Sequence, residues 1–310
     1  MNKLIDKRAF SVEFYHQNKC IIGLSKNFVM IDVNARKNTF DTIYPKINNC
    51  NNIFFSEDES VALILNTTGT ALLYDVANDK VLHNEILFGD ELYNQCFVSH
   101  KNGFYYLNQA NNVDWFDYRT VKKSKSQFSE KYSFLYDDKD KAFFIAIDET
   151  GYYPHYNLLS IKCFSKKSEQ FEPWSISLPK GNLKIFKRIN KNSYLIVLEQ
   201  EEYKEIRTKI YLFELTNKHL IYLFDEQDFL DNENDEFFLN FEIDLSAKKG
   251  YILYSNSLKV IDLEKKFLMR SVVFEEAWDL KLVSKVLIVA TGKGVYRLKL
   301  SELNAQSDNC

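Results

Sequence analysis

The residues able to do chemistry are scattered through this sequence. Five histidines, His16, His83, His100, His155 and His219, fall at spacings that propose no zinc set. Five cysteines, Cys20, Cys50, Cys96, Cys163 and Cys310, form no close pair and leave an odd count. Their expected role is that of a small buried hydrophobe, not a disulfide or metal framework. Asp231, Glu233 and Asp235 alternate like calcium ligands, with Glu242 at a twelfth position, but Glu236 stands where such a loop needs the glycine of its sharp turn. Gly292-Lys293-Gly294 is too short for a phosphate cradle and reads as a hairpin turn. Lys122, Lys123 and Lys125 beside Arg119 read as a solvated turn and outer strand, not a phosphate patch. Trp115, Trp174 and Trp278 read as packing residues. No catalytic residue, metal ligand or cofactor is expected.

Composition narrows the function classes. The 310 residues are 45% hydrophobic, enough to offset the ordering entropy of a folded chain. Forty basic and 43 acidic residues leave a net charge of -3, without the basic excess that phosphate contacts ask of a nucleic-acid binder. Aromatics reach 15%, with 25 Phe and 19 Tyr, which suit half-buried pleated surfaces. Nine Gly and four Pro leave the turns to Asn, Asp and Lys. Lys3, Asp6, Lys7, Arg8 and Glu13 interrupt the N-terminal segment, and no window approaches the roughly 18 apolar residues of a spanning helix. The expected location is cytoplasmic.

The elements that must position any site come from a repeat. A short strand ends in an apolar, acidic, apolar triplet at Ile31-Asp32-Val33, Tyr74-Asp75-Val76 and Phe116-Asp117-Tyr118, a step of about 43 residues. Weaker copies stand at Phe213-Glu214-Leu215 and Ile261-Asp262-Leu263. Two more lack the acid, at Tyr156 through Ile161 and Gly294 through Leu300. A second apolar run precedes each copy, as at Val61 through Leu65 and Tyr194 through Leu198. A third strand follows it, as at Thr39 through Ile43 and Leu220 through Phe224, and a fourth leads into the next unit. Four short strands per unit, seven units and a period near 44 predict an all-β fold, a seven-bladed β-propeller of four-stranded antiparallel blades. One domain is expected over residues 1–303, with 304–310 a flexible tail. The last unit lacks an outer strand, which Lys3-Leu4-Ile5-Asp6 is placed to supply, Leu303 being the alternative.

The pattern loosely resembles the WD40-like and quinoprotein-like propeller superfamily over residues 10 to 300. The Trp-Asp ending is replaced by Ile31-Asp32, Tyr74-Asp75, Phe116-Asp117 and Ile261-Asp262, and no regular Gly-His start precedes the units. No specific family follows. A quinone stacked on a channel Trp, known in that superfamily, is not expected here.

By resemblance to propellers generally, the connections from second to third strand and from outer to next inner strand share one face, which carries ligands. Two of the former are long: Asp148 through His155 in the fourth unit and Glu199 through Arg207 in the fifth. The connection Asp225 to Glu236 adds seven acidic residues. An aromatic and acidic interaction patch over units four to six is predicted, carried by Tyr152, Tyr153, His155, Tyr203, Arg207, Asp228, Asp231, Glu233 and Asp235. The tyrosines would anchor, and the acidic rim would favour another protein with a basic surface. A non-catalytic scaffold for protein–protein interaction is the leading expectation, with neither membrane nor nucleic acid as partner. The alternative is a hydrolase or lyase with its site at the central channel mouth.

Overall fold

Apolar runs of strand length, punctuated by polar turns, leave the backbone to satisfy its hydrogen bonds between neighbouring strands. The computed structural model describes residues 2–15, 19–33, 47–88, 92–202, 204–229 and 236–304, the side chains of 92–95 and 155 excepted. Seven antiparallel sheets result, six of them paired in chain order from inner to outer strand. The first holds Ala9–Tyr15, Lys19–Leu24 and Phe28–Asp32; the outer strand expected at 39–43 lies outside the described residues. The second holds Cys50–Phe55, Val61–Asn66, Thr70–Asp75 and Lys80–Leu87, and the third Leu92–His100, Gly103–Asn108, Val113–Asp117 and Lys122–Lys125. The fourth holds Tyr132–Asp138, Lys141–Glu149, Leu158–Ser165 and Gln170–Ser177. Asn182–Asn190, Ser193–Glu202, Glu205–Glu214 and His219–Asp225 make the fifth; Phe238–Asp244, Lys249–Tyr254, Ser257–Asp262 and Phe267–Val273 make the sixth. The seventh joins Ala277–Val283, Val286–Thr291 and Gly294–Lys299 to the N-terminal strand Asn2–Ile5. The fold is a seven-bladed β-propeller.

The repeated acid makes a turn. Asp75 Oδ1 accepts the N–H groups of Ala77 and Asn78 at 3.1 and 2.9 Å, and Asp117 Oδ1 those of Arg119 and Thr120 at 2.8 and 3.0 Å. Asp262 Oδ1 does the same for Glu264 and Lys265 at 3.0 and 2.8 Å. Such side-chain acceptors hold the first residues of a hairpin. The residue four places on then closes it from the left-handed region: Asp79, Val121 and Lys266 have φ of 51°, 55° and 53°. In the fourth blade this place belongs to Ser165, not to Ser160 as the spacing predicts. Ser165 Oγ accepts the Ser168 N–H at 3.3 Å, and Glu169 has φ 57°. The long connection before Leu158 displaces the strand along the sequence.

Two compact units contain the blades: Met1–Phe55, Glu59–Leu87 and Asp231–Cys310 form one, and Ser56–Asp58 with Phe88–Leu230 the other. In each the core is a set of layers between successive blades. In the first unit, Val12, Ile22, Ile288 and Val295 pack between blades seven and one, and Tyr251, Val260, Leu280 and Val289 between six and seven. In the second, Phe143, Ile161, Phe186, Tyr194 and Leu198 fill the layer between blades four and five. Middle strands are therefore covered on both faces. Val61–Leu65 and Tyr194–Leu198 are buried throughout, so they read as continuous apolar runs instead of alternating ones.

The N-terminal strand takes the outer position of the seventh blade, Asn2 opposite Arg297 and Ile5 opposite Val295. Leu300–Leu303 forms one helical turn that buries Leu300 and Leu303, so Leu303 begins no strand. Gly294, at φ 143°, lets the Ile5 backbone approach: a Cβ there would stand 2.2 Å from Ile5 O. Cys20, Cys50, Cys96 and Cys163 are buried, and none of the four is in a disulfide. No helix among the described residues is long and apolar enough to cross a membrane.

Candidate interaction surface

Inner strands carry charged side chains, and in both units these tie blades together. Successive residues of a strand point opposite ways, so Asp137 and Asp138 on the fourth inner strand reach different neighbours. Asp137 accepts the Ser99 N–H and Oγ–H at 2.7 and 2.5 Å and pairs with the buried Lys166 ammonium at 2.5 Å. Asp138 binds Arg188 Nη1 at 2.8 Å and the Tyr194 hydroxyl at 2.5 Å, both on the fifth blade. Burial pushes the Asp137 carboxyl above its usual range, while Lys166 and Ser99 pull it back. Lys166 Nζ also lies 3.2 Å from Ser99 Oγ, a serine–lysine approach that raises the question of a nucleophile. The Ser99 hydroxyl donates to Asp137, however, and the Lys166 ammonium sits between Asp137 and Glu57, 3.7 Å away. That geometry is a clamp. His100 joins it, buried, with Nδ1 3.3 Å from Glu57 Oε1.

The seventh inner strand repeats the device in the first unit. Asp279 takes Asn240 Nδ2 of the sixth blade at 2.9 Å on one oxygen and the Val12 N–H of the first blade at 2.9 Å on the other. Lys281 Nζ pairs with Glu13 at 2.7 Å. Burial pulls the Lys281 ammonium down, but Glu13, Asp279 and Glu242 outweigh it and hold its pKa above the ordinary lysine value. The carboxylates that converge here are engaged in holding three blades. Among the described residues, no group of three or more His, Cys, Asp or Glu is arranged to hold a metal.

The long connection of the fourth blade is different, because it presents side chains outward. Gly151 N–H donates to Asn157 Oδ1 at 2.9 Å, and Asn157 O accepts the Gly181 N–H at 3.0 Å, which pins the base of the loop to the fifth blade. Between them Pro154–Tyr156 forms a single 3-10 turn, with Pro near its start where no amide is missed. Gly151 is required: a Cβ there would lie 2.3 Å from the Tyr156 Cβ. On this pinned turn Tyr152 is 87% and Tyr153 51% exposed, and Tyr156 is exposed beside them. Tyr152 and Tyr153 meet edge to face at 4.5 Å, with Tyr156 6.4 Å from Tyr153. The Tyr156 hydroxyl bonds the Glu201 carboxylate, which holds the phenol above its usual range.

The fifth-blade stretch expected as a loop is instead a β-ribbon. Its strands stay paired to the end, Gln200 opposite Arg207, Glu201 opposite Ile206 and Glu202 opposite Glu205. Cross-strand polar pairs sustain it where apolar side chains are absent. Lys209 Nζ meets Glu202 at 2.5 Å, holding that carboxyl below its usual range, and the Tyr211 hydroxyl donates to Gln200 Oε1 at 2.8 Å. Arg207 lies 3.5 Å from Glu205 and 3.6 Å from Asp225. Ile206 stands out at the ribbon end, 54% exposed, and its carbonyl accepts Gln227 Nε2 at 3.0 Å. Gln227 belongs to the 3-10 turn Glu226–Phe229, on which Asp228 is exposed.

Tyr152, Tyr153, Arg207 and Asp228 are thus connected through Tyr156, Glu201, Ile206 and Gln227, four residues the sequence reading did not select. The Pro154 start of a turn and the grouping of Tyr152, Tyr153 and Tyr156 about it were the available signals. Tyr203, Asp231, Glu233, Asp235 and the His155 side chain lie outside the described residues. Lys122–Lys125 is a fully exposed outer strand, as expected. Trp115 packs on Tyr105 at 4.7 Å, whereas Trp278 is exposed beside Phe10.

No protein-family profile and no curated protein matches the chain. Solved structures do. The β-propeller domain of Myceliophteria thermophila Cps50 (Swd1) superposes with a TM-score of 0.64 over 96% of this chain and 99% of that one, at 11% identity. The likeness is one of fold. It is the propeller fold that the repeat implied, and 1072 solved chains match in all, so the fold alone names no activity.

Proposed function

We propose that this propeller is a non-catalytic scaffold that binds another protein through the surface formed by the 151–157 turn and the 199–207 ribbon. The observation that carries the reading is the cluster of three outward tyrosines on a turn pinned at both ends. Tyrosine offers large contact area with few torsions to freeze, and a rigid base lowers the ordering cost of binding further. Ile206 adds an apolar anchor, and Glu149, Glu201, Glu205 and Asp228 supply an acidic surround that favours a basic partner surface. The inner-strand carboxylates Glu13, Asp137, Asp138 and Asp279, a starting point for a hydrolase or lyase, are engaged in joining blades. Buried, unbridged cysteines fit a reducing, cytoplasmic setting.

Affinity capture from cells of the source organism, run in parallel with the native chain and with Tyr152→Ala/Tyr153→Ala, tests the reading. A discrete partner retained by the first and lost by the second is expected. Equal recovery by both would remove the surface from consideration.

A further inference from the structure

The chain already holds one guanidinium in a way that describes what its tyrosines can do. The Arg8 guanidinium carbon lies 5.2 Å from the Phe10 ring centroid and 5.6 Å from that of Trp278, two rings 5.3 Å apart. Its Nη2 pairs with Glu276 at 3.1 Å. Two tilted rings and one carboxylate thus seat an arginine at a partly exposed position, the ring quadrupoles and the negative charge acting together.

The fourth blade offers the same ingredients to the outside. Tyr152 and Tyr153 are 4.5 Å apart at 87°, with Tyr152 almost wholly in solvent. Glu149 stands at the end of the strand that leads into their turn, and Glu201 is bound to the neighbouring Tyr156. Glu205 and Asp228 extend the acidic surround along the ribbon. Two cations of the ribbon, Arg207 and Lys209, are already paired with Asp225 and Glu202, and the third, Lys204, stands at its turn. A planar guanidinium can lie on a ring face while its N–H groups reach a carboxylate, which a compact, strongly hydrated ammonium does less well.

We propose that the Tyr152–Tyr153 pair receives an arginine side chain of a partner polypeptide, with Glu149 and Glu201 as the carboxylates beside it. This rests on the interaction-surface reading and specifies its ligand.

Fluorescence anisotropy with a labelled peptide of alternating Arg and Gly, against Lys-Gly and citrulline-Gly peptides of equal length, tests it. The Arg peptide is expected to bind about tenfold more tightly than either the Lys or the citrulline peptide. Tyr152→Ala/Tyr153→Ala is expected to erase that difference without moving the melting temperature, since both rings are exposed. Equal affinity for Arg and Lys peptides, absence of binding, or an Arg preference that survives the double substitution would overturn the proposal. If cellular capture depends on the tyrosines while the peptides are not discriminated, the surface stands and the arginine assignment falls.

Discussion

Asp262 shows at the residue scale what the repeated acid contributes. Lys249 Nζ, 2.5 Å away, and the Lys265 and Glu264 N–H groups hold its carboxyl at a pKa of about 2, against an ordinary 3.8. The folded chain therefore binds this proton less readily than the unfolded chain. The resulting stability is complete above the ordinary value and is lost as pH falls through about 2. Urea unfolding of Asp262→Asn is expected to show a deficit at neutral pH that closes between pH 4 and 2; a deficit constant across that range would contradict the assignment. Val121 occupies the left-handed corner of the third-blade hairpin at φ 55°, where a β-branched side chain is strained. Val121→Gly is expected to gain roughly 1 kcal/mol in the same assay. Lys166→Ala leaves Asp137 facing a buried clamp without its cation and is expected to cost about 3 kcal/mol. The acids of the hairpins were legible because each caps a turn within four residues of itself. The clamps were not: Asp279 meets Val12 across 267 positions, and no local pattern announces such a meeting.

Legibility at the scale of elements followed the same division between local and distant causes. Strands sandwiched between blades carry unbroken apolar runs and were read with nearly their observed limits, as at Val61–Asn66. The ribbon at 199–207 was read as loop because its pairing is sustained by Glu202 with Lys209 and Gln200 with Tyr211, not by apolar alternation. The tyrosine turn was found as a long connection, but its rigidity depends on Asn157 and on the close approach at Gly151. Gly151→Ala drives a Cβ into Tyr156 and is expected to displace the turn. Partner binding is then expected to fall by about tenfold, equivalent to 1.4 kcal/mol, while the melting temperature moves little, because the turn lies outside the layered core. Unaltered binding would show that the turn's shape is immaterial.

For the whole molecule, stacking within each unit is the organising fact: the apolar layers and charged clamps both act across blade boundaries. The N-terminal strand belongs to this logic, since Asn2–Ile5 covers the edge of Gly294–Lys299. Deleting residues 1–6 is expected to lower the melting temperature and to cause aggregation, read by light scattering during a thermal ramp; an unchanged profile would deny that strand its role. The outward tyrosines of the fourth blade and the ribbon of the fifth are the exposed elements assigned to a partner. Hydrogen–deuterium exchange of the chain with and without its captured partner tests that claim most directly. The account predicts new protection confined to 149–157 and 199–207. Protection centred instead on the opposite ends of the same sheets, at the 139–140 and 166–169 turns, with 149–157 and 199–207 unchanged, would contradict it.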